Sequence, residues 1–307
     1  MKILVTGGAG FIGSHLVNKL SNQNNEVIVL DNLLRGNKLV NKNKNVFLNV
    51  CDISDYNKIV DLSKGCDVIF HLAAFLGVDQ VAQNPVITME TEVLGTYNIV
   101  KAAVKNNIPK IVYASTSGVY GKTDIDSAVN EDFSVSPSSS YAIAKRYNEI
   151  YLKSIFKKYG IISASLRFFN IYGPRQDNRM VIPRFFESAM NNKDILVYGN
   201  GEQTRDFTYI EDTIDATIKI SQMNIGSEII NISYGNDVTM IQLAKKIIKI
   251  TNSKSEIKLI SNPEFRNDYE VERRFGSSKK LEKLTNYRPT TNLDDGLNKT
   301  YQYILQS

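Results

Sequence analysis

The 307-residue sequence has only two cysteines, Cys51 and Cys66, and only two histidines, His15 and His71. Two cysteines so close together cannot form a disulfide framework, which favours a reducing, cytoplasmic compartment. Neither cysteine has neighbours that would complete a metal site, so we expect no metal. Neither histidine lies near a serine or cysteine nucleophile motif, which excludes hydrolysis by a Ser/His/Asp triad. We interpret His71 as a core histidine at a strand end.

Long apolar runs and clustered charge are also missing. No stretch approaches the ~18 apolar residues of a membrane span, and the N-terminus lacks the pattern of a signal peptide. The net charge of +5 is spread along the chain, whereas nucleic-acid-binding proteins cluster their positive charge. We therefore expect neither a membrane nor a nucleic-acid partner. The mild positive excess suits an anionic small molecule.

Short β-branched apolar runs alternate with helical periodicity over the first two-thirds of the chain, which predicts an α/β fold with a doubly wound parallel sheet. Helices are expected between the strands, the longest of them over Ile87 to Asn106 and Tyr141 to Tyr159. The predicted strands are Lys2 to Thr6, Val27 to Asp31, Val46 to Asn49, Val68 to His71, Lys110 to Ser115 and Ser163 to Phe168.

After Phe169 the sequence changes to longer loops that contain Gly, Pro and Asn. We therefore expect a Rossmann-type dinucleotide-binding domain over residues 1–168 and a smaller substrate-binding lobe over residues 169–307. A short apolar run within residues 228–233 is expected to return to the first sheet as a seventh strand.

Glycines stand at Gly7, Gly10 and Gly13, directly between the first strand and the first helix. Glycine permits a tight turn and a close approach of the main chain to a pyrophosphate, whose charge is favoured at a helix N-terminus. Phe11 and Ile12 open that helix and belong to the same predicted site. The segment predicts dinucleotide binding, with a mononucleotide site as the alternative.

An acid ends the second predicted strand at Asp31, 18 residues beyond Gly13. This separation is close to that of the carboxylate that binds the adenosine ribose hydroxyls. Its charge would repel a 2′-phosphate, so NAD is favoured over NADP, although Arg35 on the same loop could meet such a phosphate. Asn32 is assigned to the same cofactor site.

Tyr141 and Lys145 stand one helical turn apart and on the same face. A nearby cation lowers the pKa of a phenol, which could then act as a general base. Tyr97 and Lys101 share this spacing, so context must separate the pairs. Tyr141 follows a strand that ends near Ser115 and Thr116 and a serine-rich loop, whereas Tyr97 lies within the helix before that strand.

These motifs together resemble the extended short-chain dehydrogenase/reductase family, and within it the nucleotide-sugar 4-epimerases. The similarity runs from Gly7 to about Pro289. It implies a homodimer formed through the helices that contain Tyr97 and Tyr141. It also implies that Thr116 binds the reacting oxygen. The other implied contacts are Asp52 and Ile53 at the adenine, Leu72, Ala73 and Ala74 at the pyrophosphate and ribose, Ser115 and Phe169 at the nicotinamide, and Asn170, Arg205 and Arg266 at the substrate.

Three departures from the family pattern bear on the reaction. Nucleotide-sugar 4,6-dehydratases have Asp and Glu directly after the threonine, where this chain has Ser117 and Gly118, so it lacks a carboxyl group to expel a hydroxyl. A family asparagine near the cofactor is replaced by Glu92. Tyr269 replaces an aspartate at the nucleotide, which leaves the base of the substrate open.

The sequence therefore predicts an NAD-dependent nucleotide-sugar 4-epimerase. It would oxidise the sugar C4 hydroxyl through Tyr141 and Lys145 and reduce the ketone again on its other face. Two alternatives share this architecture, an oxidoreductase that releases a 4-keto sugar and a decarboxylase of nucleotide-linked uronic acids. A non-catalytic NAD-binding scaffold is the alternative from another class.

Overall fold

A computed structural model describes residues 1–40, 43–75, 77–122, 127–263 and 271–306. Within these ranges no helix has both the length and the apolar character needed to cross a bilayer. The elements in chain order are β1 (Lys2–Thr6), α1 (Phe11–Asn22), β2 (Glu26–Asp31), β3 (Val46–Val50), α2 (Tyr56–Ser63), β4 (Val68–His71), α3 (Val78–Gln83), α4 (Pro85–Met89), a π-helical turn (Glu90–Leu94), α5 (Gly95–Lys105), β5 (Lys110–Thr116), a 3₁₀ turn (Ser117–Tyr120), α6 (Ser140–Tyr159), β6 (Ile162–Phe168), β7 (Ile171–Tyr172), α7 (Val181–Met190), β8 (Ile195–Tyr198), β9 (Thr204–Asp206), β10 (Thr208–Tyr209), α8 (Ile210–Ser221), β11 (Ser227–Ile232), β12 (Asp237–Thr239), α9 (Met240–Thr251), β13 (Ile257–Ile260), α10 (Lys279–Thr285) and α11 (Leu293–Gln306).

Seven strands form one sheet in the order β11-β6-β5-β4-β1-β2-β3. The pairings of β1 with β2 and β4, of β2 with β3 and of β4 with β5 are parallel. The predicted α/β, Rossmann-type fold is confirmed. Because the strand order reverses between β1 and β4, the carboxyl ends of these two strands border the crevice where this fold binds ligands.

Apolar side chains cover both faces of the inner strands, as expected for a parallel sheet between helices. Leu4 and Ile69 from the sheet pack in one buried cluster with Ile99 of α5 and Leu152 of α6. Burial of each such side chain contributes about 1.5–3 kcal/mol. This cluster fixes α5 and α6 against the strands whose ends carry the predicted site.

The single helix predicted over Ile87 to Asn106 is divided in the structure. A π-helical turn over Glu90–Leu94 separates α4 from α5, and such turns accommodate one additional residue. At the start of α5 the backbone approaches Ile53 so closely that a Cβ on Gly95 would lie 2.3 Å from the Ile53 Cδ1. The carbonyl of Glu92 accepts hydrogen bonds from the Thr96 hydroxyl (2.6 Å) and from the Asn148 amide (2.8 Å) of α6.

The chain divides into two compact units. The first comprises Met1–Val119, Pro137–Arg167 and Ile214–Ile230, and the second comprises Tyr120–Ser136, Phe168–Thr213 and Asn231–Ser307. The second unit contains three two-stranded sheets, which pair β10 with β7, β12 with β9 and β13 with β8. The division into domains at residues 168 and 169 stays a prediction.

Candidate active site

The turn between β1 and α1 needs glycine at two positions. Gly7 has a φ of +68°, and a Cβ there would lie 2.7 Å from the Ala73 backbone nitrogen. A Cβ on Gly13 would lie 2.1 Å from the Gly7 carbonyl oxygen. The close approach of β1, α1 and the segment after β4 therefore depends on the absence of these side chains.

The first turn of α1 can receive an anion. Gly10 is the N-cap residue, so no side chain from that position caps the backbone N–H groups of the first turn. Phe11 and Ile12 are the first two residues of the helix and are partly buried. Helix N-termini with free N–H groups bind phosphates. This cradle fits the pyrophosphate of a dinucleotide such as NAD.

Asp31 ends β2 and is held by the loops around it. Its carboxylate accepts hydrogen bonds from the backbone N–H groups of Ala9 (2.9 Å) and Leu33 (2.8 Å). An ionised carboxylate has about four acceptor positions, so Asp31 retains capacity for ribose hydroxyls. The structure thus places this acid beside the glycine turn, as the proposed ribose contact requires.

Asn32 of the predicted cofactor site follows β2, and the predicted adenine residues Asp52 and Ile53 follow β3. Asn32 and Asp52 are exposed, and the Asn32 amide donates a hydrogen bond to the Asp52 carboxylate at 2.8 Å. Ile53 is buried beneath α5. Ile53 therefore supports this edge of the sheet through packing, whereas Asn32 and Asp52 offer polar atoms at the surface.

Leu72, Ala73 and Ala74 continue from β4 and are partly buried. The backbone N–H of Leu72 donates to the Thr6 carbonyl at 3.1 Å, and that of Ala73 donates to the Thr6 hydroxyl at 3.3 Å. These bonds hold the segment against the glycine turn. The structure therefore brings the predicted pyrophosphate residues of β1, α1 and β4 together.

His71 is the last residue of β4 and is 1% exposed. Its Nδ1 lies 2.7 Å from the Thr6 hydroxyl and its Nε2 lies 3.0 Å from the Thr96 hydroxyl. Burial lowers the pKa of His71 to about 3, and the Lys145 charge acts in the same direction. The ring is therefore neutral and structural, as the sequence predicts.

Tyr141 and Lys145 lie on one face of α6. The helix begins after Ser139, whose hydroxyl accepts a hydrogen bond from the Ala142 N–H at 3.1 Å. This cap fixes the first turn, which carries Tyr141. The Lys145 ammonium is fully buried and lies 5.3 Å from the centre of the Tyr141 ring. The predicted pair is thus adjacent in the structure.

Ser115 and Thr116 end β5 and face different surroundings. Thr116 is partly exposed, and its hydroxyl accepts a hydrogen bond from the Gly118 N–H at 3.0 Å, which leaves the O–H free to donate. Ser115 is buried, and its hydroxyl donates to the Glu149 carboxylate at 2.6 Å. Thr116 is therefore the better placed of the two to bind a reacting oxygen.

Glu92 lies next to Lys145, a contact that the sequence did not predict. Its side chain is buried, and one carboxylate oxygen lies 3.0 Å from the Lys145 ammonium. The other oxygen accepts a hydrogen bond from the Phe75 N–H at 2.8 Å. The sequence marked this position only as an acid in place of a family asparagine, because the direction of the side chain depends on the π-helical turn.

Glu149 and Arg167 are a second buried ion pair beneath the site. The Glu149 carboxylate accepts two hydrogen bonds from the Arg167 guanidinium, both at 2.8 Å, and one from Arg146 at 3.0 Å. It also accepts from Ser115, so the pair braces the end of β5 against α6 and β6. No motif indicated this pair, because its two residues belong to different elements.

The environment of Tyr141 differs from the sequence-based expectation of a lowered pKa. Burial raises the pKa of Tyr141, and the negative charge of Glu92 raises it further. Burial also raises the pKa of Glu92, although Lys145 opposes this. The ammonium expected to favour the phenolate is shared with a carboxylate, so burial and Glu92 together favour the protonated phenol.

The remaining predicted residues belong to the second unit. Phe169 is fully buried against Tyr120, with ring centroids 6.3 Å apart. Asn170 is exposed, and its amide donates to the Asp206 carbonyl at 3.2 Å. The Arg205 guanidinium donates to the Val271 carbonyl at 2.6 Å. Arg266 lies outside the described residues. The cofactor and substrate contacts of these residues stay predictions.

The chain is similar to enzymes that act on nucleotide sugars. A sequence model of the NAD dependent epimerase/dehydratase family matches residues 3–233. The UDP-N-acetyl-alpha-D-glucosaminuronate decarboxylase of Bacillus cytotoxicus is 35% identical, over 99% of this chain and 97% of the relative.

Two solved structures share the fold over nearly their whole length. The UDP-glucose 4-epimerase of Thermotoga maritima, solved with UDP-glucose, has a TM-score of 0.94 and 31% identity, and the match covers 100% of this chain and 99% of that one. The UDP-glucose 4-epimerase of Thermus thermophilus, solved with NAD, has a TM-score of 0.91 and 29% identity, with 99% of each chain covered. The chain described here therefore belongs to the NAD-dependent epimerase/dehydratase family, and it is an NAD-dependent enzyme of the extended short-chain dehydrogenase/reductase type.

Proposed function

We propose that the protein is a nucleotide-sugar 4-epimerase that inverts the configuration of the sugar at C4. The observation that carries this proposal is the pair Ser117 and Gly118 directly after Thr116. Elimination of a sugar hydroxyl needs a group that protonates it as it leaves, and neither residue has a carboxyl group. Epimerisation needs only a base, an oxygen-binding hydroxyl and a hydride acceptor.

Residues of this chain bind the reacting oxygen and move the proton in the proposed reaction. Thr116 donates a hydrogen bond to the C4 oxygen. Tyr141 acts in its ionised form, so that its phenolate oxygen takes the proton of the C4 hydroxyl. When bound, NAD supplies the acceptor and later the donor of the hydride. Tyr141 returns the proton to the oxygen after the ketone has presented its other face. Lys145 balances the charge of the phenolate during the reaction.

The same proposal assigns residues that bind the cofactor and the substrate. Gly7, Gly10, Phe11, Ile12 and Gly13 bind the pyrophosphate of NAD. Asp31 binds the adenosine ribose. The other proposed cofactor residues are Asn32, Asp52, Ile53, Leu72, Ala73, Ala74, Ser115 and Phe169, and the proposed substrate residues are Asn170, Arg205 and Arg266.

We further propose a uridine diphosphate sugar as the substrate. The decarboxylase relative and both solved epimerases carry UDP in their names. The test is to incubate the purified protein with UDP-glucose, UDP-galactose and their N-acetylated forms and to follow the C4 configuration by proton NMR. Interconversion of a C4 pair is expected without added NAD or reductant. If every sugar keeps its C4 configuration, the epimerase proposal is wrong.

A uronate decarboxylase is the second candidate, because the Bacillus cytotoxicus relative has that activity in its name. Oxidation at C4 by the same residues would place a ketone β to the C6 carboxylate, which then leaves as carbon dioxide. The matching test is to add UDP-glucuronate and its N-acetylated form and to measure carbon dioxide and the decarboxylated sugar. Release of both without C4 inversion of neutral sugars would replace the epimerase proposal.

We propose a homodimer, through the helices that contain Tyr97 and Tyr141. We also propose a reducing cytoplasmic compartment, because Cys51 and Cys66 are both free thiols in the structure.

A further inference from the structure

Glu92 is joined to the Tyr141/Lys145 pair by a buried ion pair. The Glu92 carboxylate and the Lys145 ammonium are 3.0 Å apart, and both side chains are 1% exposed. The ammonium lies 5.3 Å from the centre of the Tyr141 ring. The ammonium is therefore shared between the Glu92 carboxylate and a phenol that must ionise.

Three elements hold Glu92 in this position. Its backbone carbonyl is fixed by the Thr96 and Asn148 side chains at 2.6 and 2.8 Å. Its second carboxylate oxygen is fixed by the Phe75 N–H at 2.8 Å. The π-helical turn that carries Glu92 directs its side chain at Lys145 rather than outward, whereas Glu90 of the same turn is exposed. The backbone conformation of the turn and these hydrogen bonds therefore fix the position of the ion pair.

Several neighbouring elements place ionisable groups near Glu92. From α6 it meets Lys145 and the neutral Tyr141, and from β5 it faces the phenol of Tyr113, whose pKa burial and Glu92 both raise. From β4, His71 is neutral because burial lowers its pKa to about 3. Among the described residues, Glu149 is the other acid that acts on Tyr113, and Glu90 of the same turn is exposed.

Glu149 is neutralised by its own partners. Its carboxylate is bound by Arg146 and Arg167, and α4 has no ionisable residue. Lys145 and Glu92 are thus opposite and equal charges beside Tyr141.

We propose that Glu92 is a positioning residue that sets the pH range of the reaction by holding part of the Lys145 charge away from Tyr141. This inference rests on the proposed use of Tyr141 as the base. An ionised Glu92 opposes the phenolate in two ways, because it repels the phenolate and neutralises the ammonium that would attract it. Removal of the Glu92 charge leaves Lys145 acting on Tyr141 alone, so Tyr141 should lose its proton at a lower pH.

The first test is the pH profile of kcat/KM for Glu92→Gln. Glutamine retains the oxygen that accepts from Phe75 and removes only the charge. The ascending limb of the profile is expected to move to lower pH by about 1 unit or more. A limb at the same pH as in the unaltered chain would overturn the proposal.

Two further variants separate charge from structure. Glu90→Gln removes a carboxylate from the same π-helical turn but at an exposed position, so its profile should match that of the unaltered chain. Glu92→Asn shortens the side chain and removes the charge, and its profile should move in the same direction as that of Glu92→Gln. A shift in Glu90→Gln, or opposite shifts in the two Glu92 variants, would show that the effect does not come from the Glu92 charge.

A direct titration of Tyr141 makes the result independent of the sugar. The protein with bound NAD is labelled with ¹³C at the tyrosine Cζ, and the Tyr141 signal is identified by its loss in Tyr141→Phe. Its titration midpoint is expected to be about 1 pH unit or more lower in Glu92→Gln than in the unaltered chain. Equal midpoints would overturn the proposal even if an active sugar is found. A lower midpoint in a protein that acts on none of the sugars would leave the Glu92 inference standing and reject the epimerase proposal.

Discussion

Tyr141 and Tyr97 are both followed by a lysine four residues later, and only the structure shows how different their surroundings are. Lys145 is fully buried beside Tyr141 and is paired with Glu92. Tyr97 is 47% exposed, and the Lys101 ammonium lies 6.0 Å from its ring. An exposed cation is screened by water and salt, so the second pair has no means of stabilising a phenolate. Sequence spacing alone could not separate them, whereas burial does.

The two tyrosines therefore give a matched test of the catalytic assignment. Tyr141→Phe is expected to lower kcat by about 10²-fold to 10⁴-fold, because it removes the group that moves the proton. Tyr97→Phe should leave kcat within about twofold of the unaltered chain. NAD released on denaturation should be equal in both variants. Equal kcat values in the two variants would reject Tyr141 as the base.

The buried His71 is expected to make the free energy of unfolding depend on pH. Its pKa in the folded chain, about 3, lies below the ~6.5 of an unfolded histidine. A histidine with a lowered pKa contributes stability above pH ~6.5, and this contribution is lost as the pH falls toward 3. The loss amounts to about 1.4 kcal/mol for each pH unit within this window.

The measurement compares the unaltered chain with His71→Asn, which has no titrating group at this position. Urea unfolding at several pH values between about 7.5 and 4 gives the free energy of unfolding of both proteins. The advantage of the unaltered chain is expected to shrink as the pH falls. A difference that stays constant with pH would mean that the buried imidazole is not the titrating group.

At the scale of elements, α6 is attached to the end of β5 and to β6 through the Glu149–Arg167 pair. Two hydrogen bonds of 2.8 Å join the residues, and both side chains are almost fully buried. Removal of one partner leaves the other charge buried and unpaired, which costs about 3–5 kcal/mol. The pair therefore fixes the helix that carries Tyr141 and Lys145.

Glu149→Gln is accordingly expected to lower the free energy of unfolding by about 3 kcal/mol or more. The control is Arg146→Gln, which removes the third, partly exposed partner of Glu149 and should cost no more than about 1 kcal/mol. Both values follow from urea unfolding at neutral pH. If both variants lose a similar free energy of unfolding, the buried Glu149–Arg167 pair does not stabilise the fold more than the partly exposed contact with Arg146 does.

The elements also show what the sequence could and could not predict. The six strands predicted before Phe169 appear with ends that differ by at most one residue. The inner strands are buried on both faces, so they appear in the sequence as continuous apolar runs. The helix over Ile87 to Asn106 has the right periodicity but contains a π-helical turn, which composition does not reveal. The direction of Glu92 depends on that turn, so its contact with Lys145 could be found only in three dimensions. The Glu149–Arg167 pair was missed for a related reason, since its partners stand 18 residues apart in different elements.

At the scale of the whole molecule, the first unit presents an apolar surface on α5, α6 and the π-helical turn. Leu94, Tyr97, Ile143, Tyr147 and Ile150 are each between 45% and 57% exposed. Several large apolar side chains gathered at one surface are typical of a protein interface. This surface includes the helices that the family resemblance assigns to the dimer.

Ile150→Glu is therefore expected to convert the proposed homodimer into a monomer, because a two-fold interface on this surface would then bury two carboxylates. Sedimentation should give about twice the 34.5 kDa chain mass for the unaltered protein and the mass of one chain for the variant. Leu305→Glu changes a residue of similar exposure (54%) on α11 and should leave the mass unchanged. A monomeric unaltered protein would reject the homodimer.

The π-helical turn over Glu90–Leu94 has a consequence for how this gene can vary. The turn holds one residue more than a regular helix needs, so the loss of a single codon there could be absorbed by closing the turn. Because each helical residue turns the chain by about 100°, closing the turn would change which of its side chains faces Lys145, while α4, α5 and the sheet keep their places. Length differences of one residue among related genes at this point should therefore coincide with a different partner for the buried lysine.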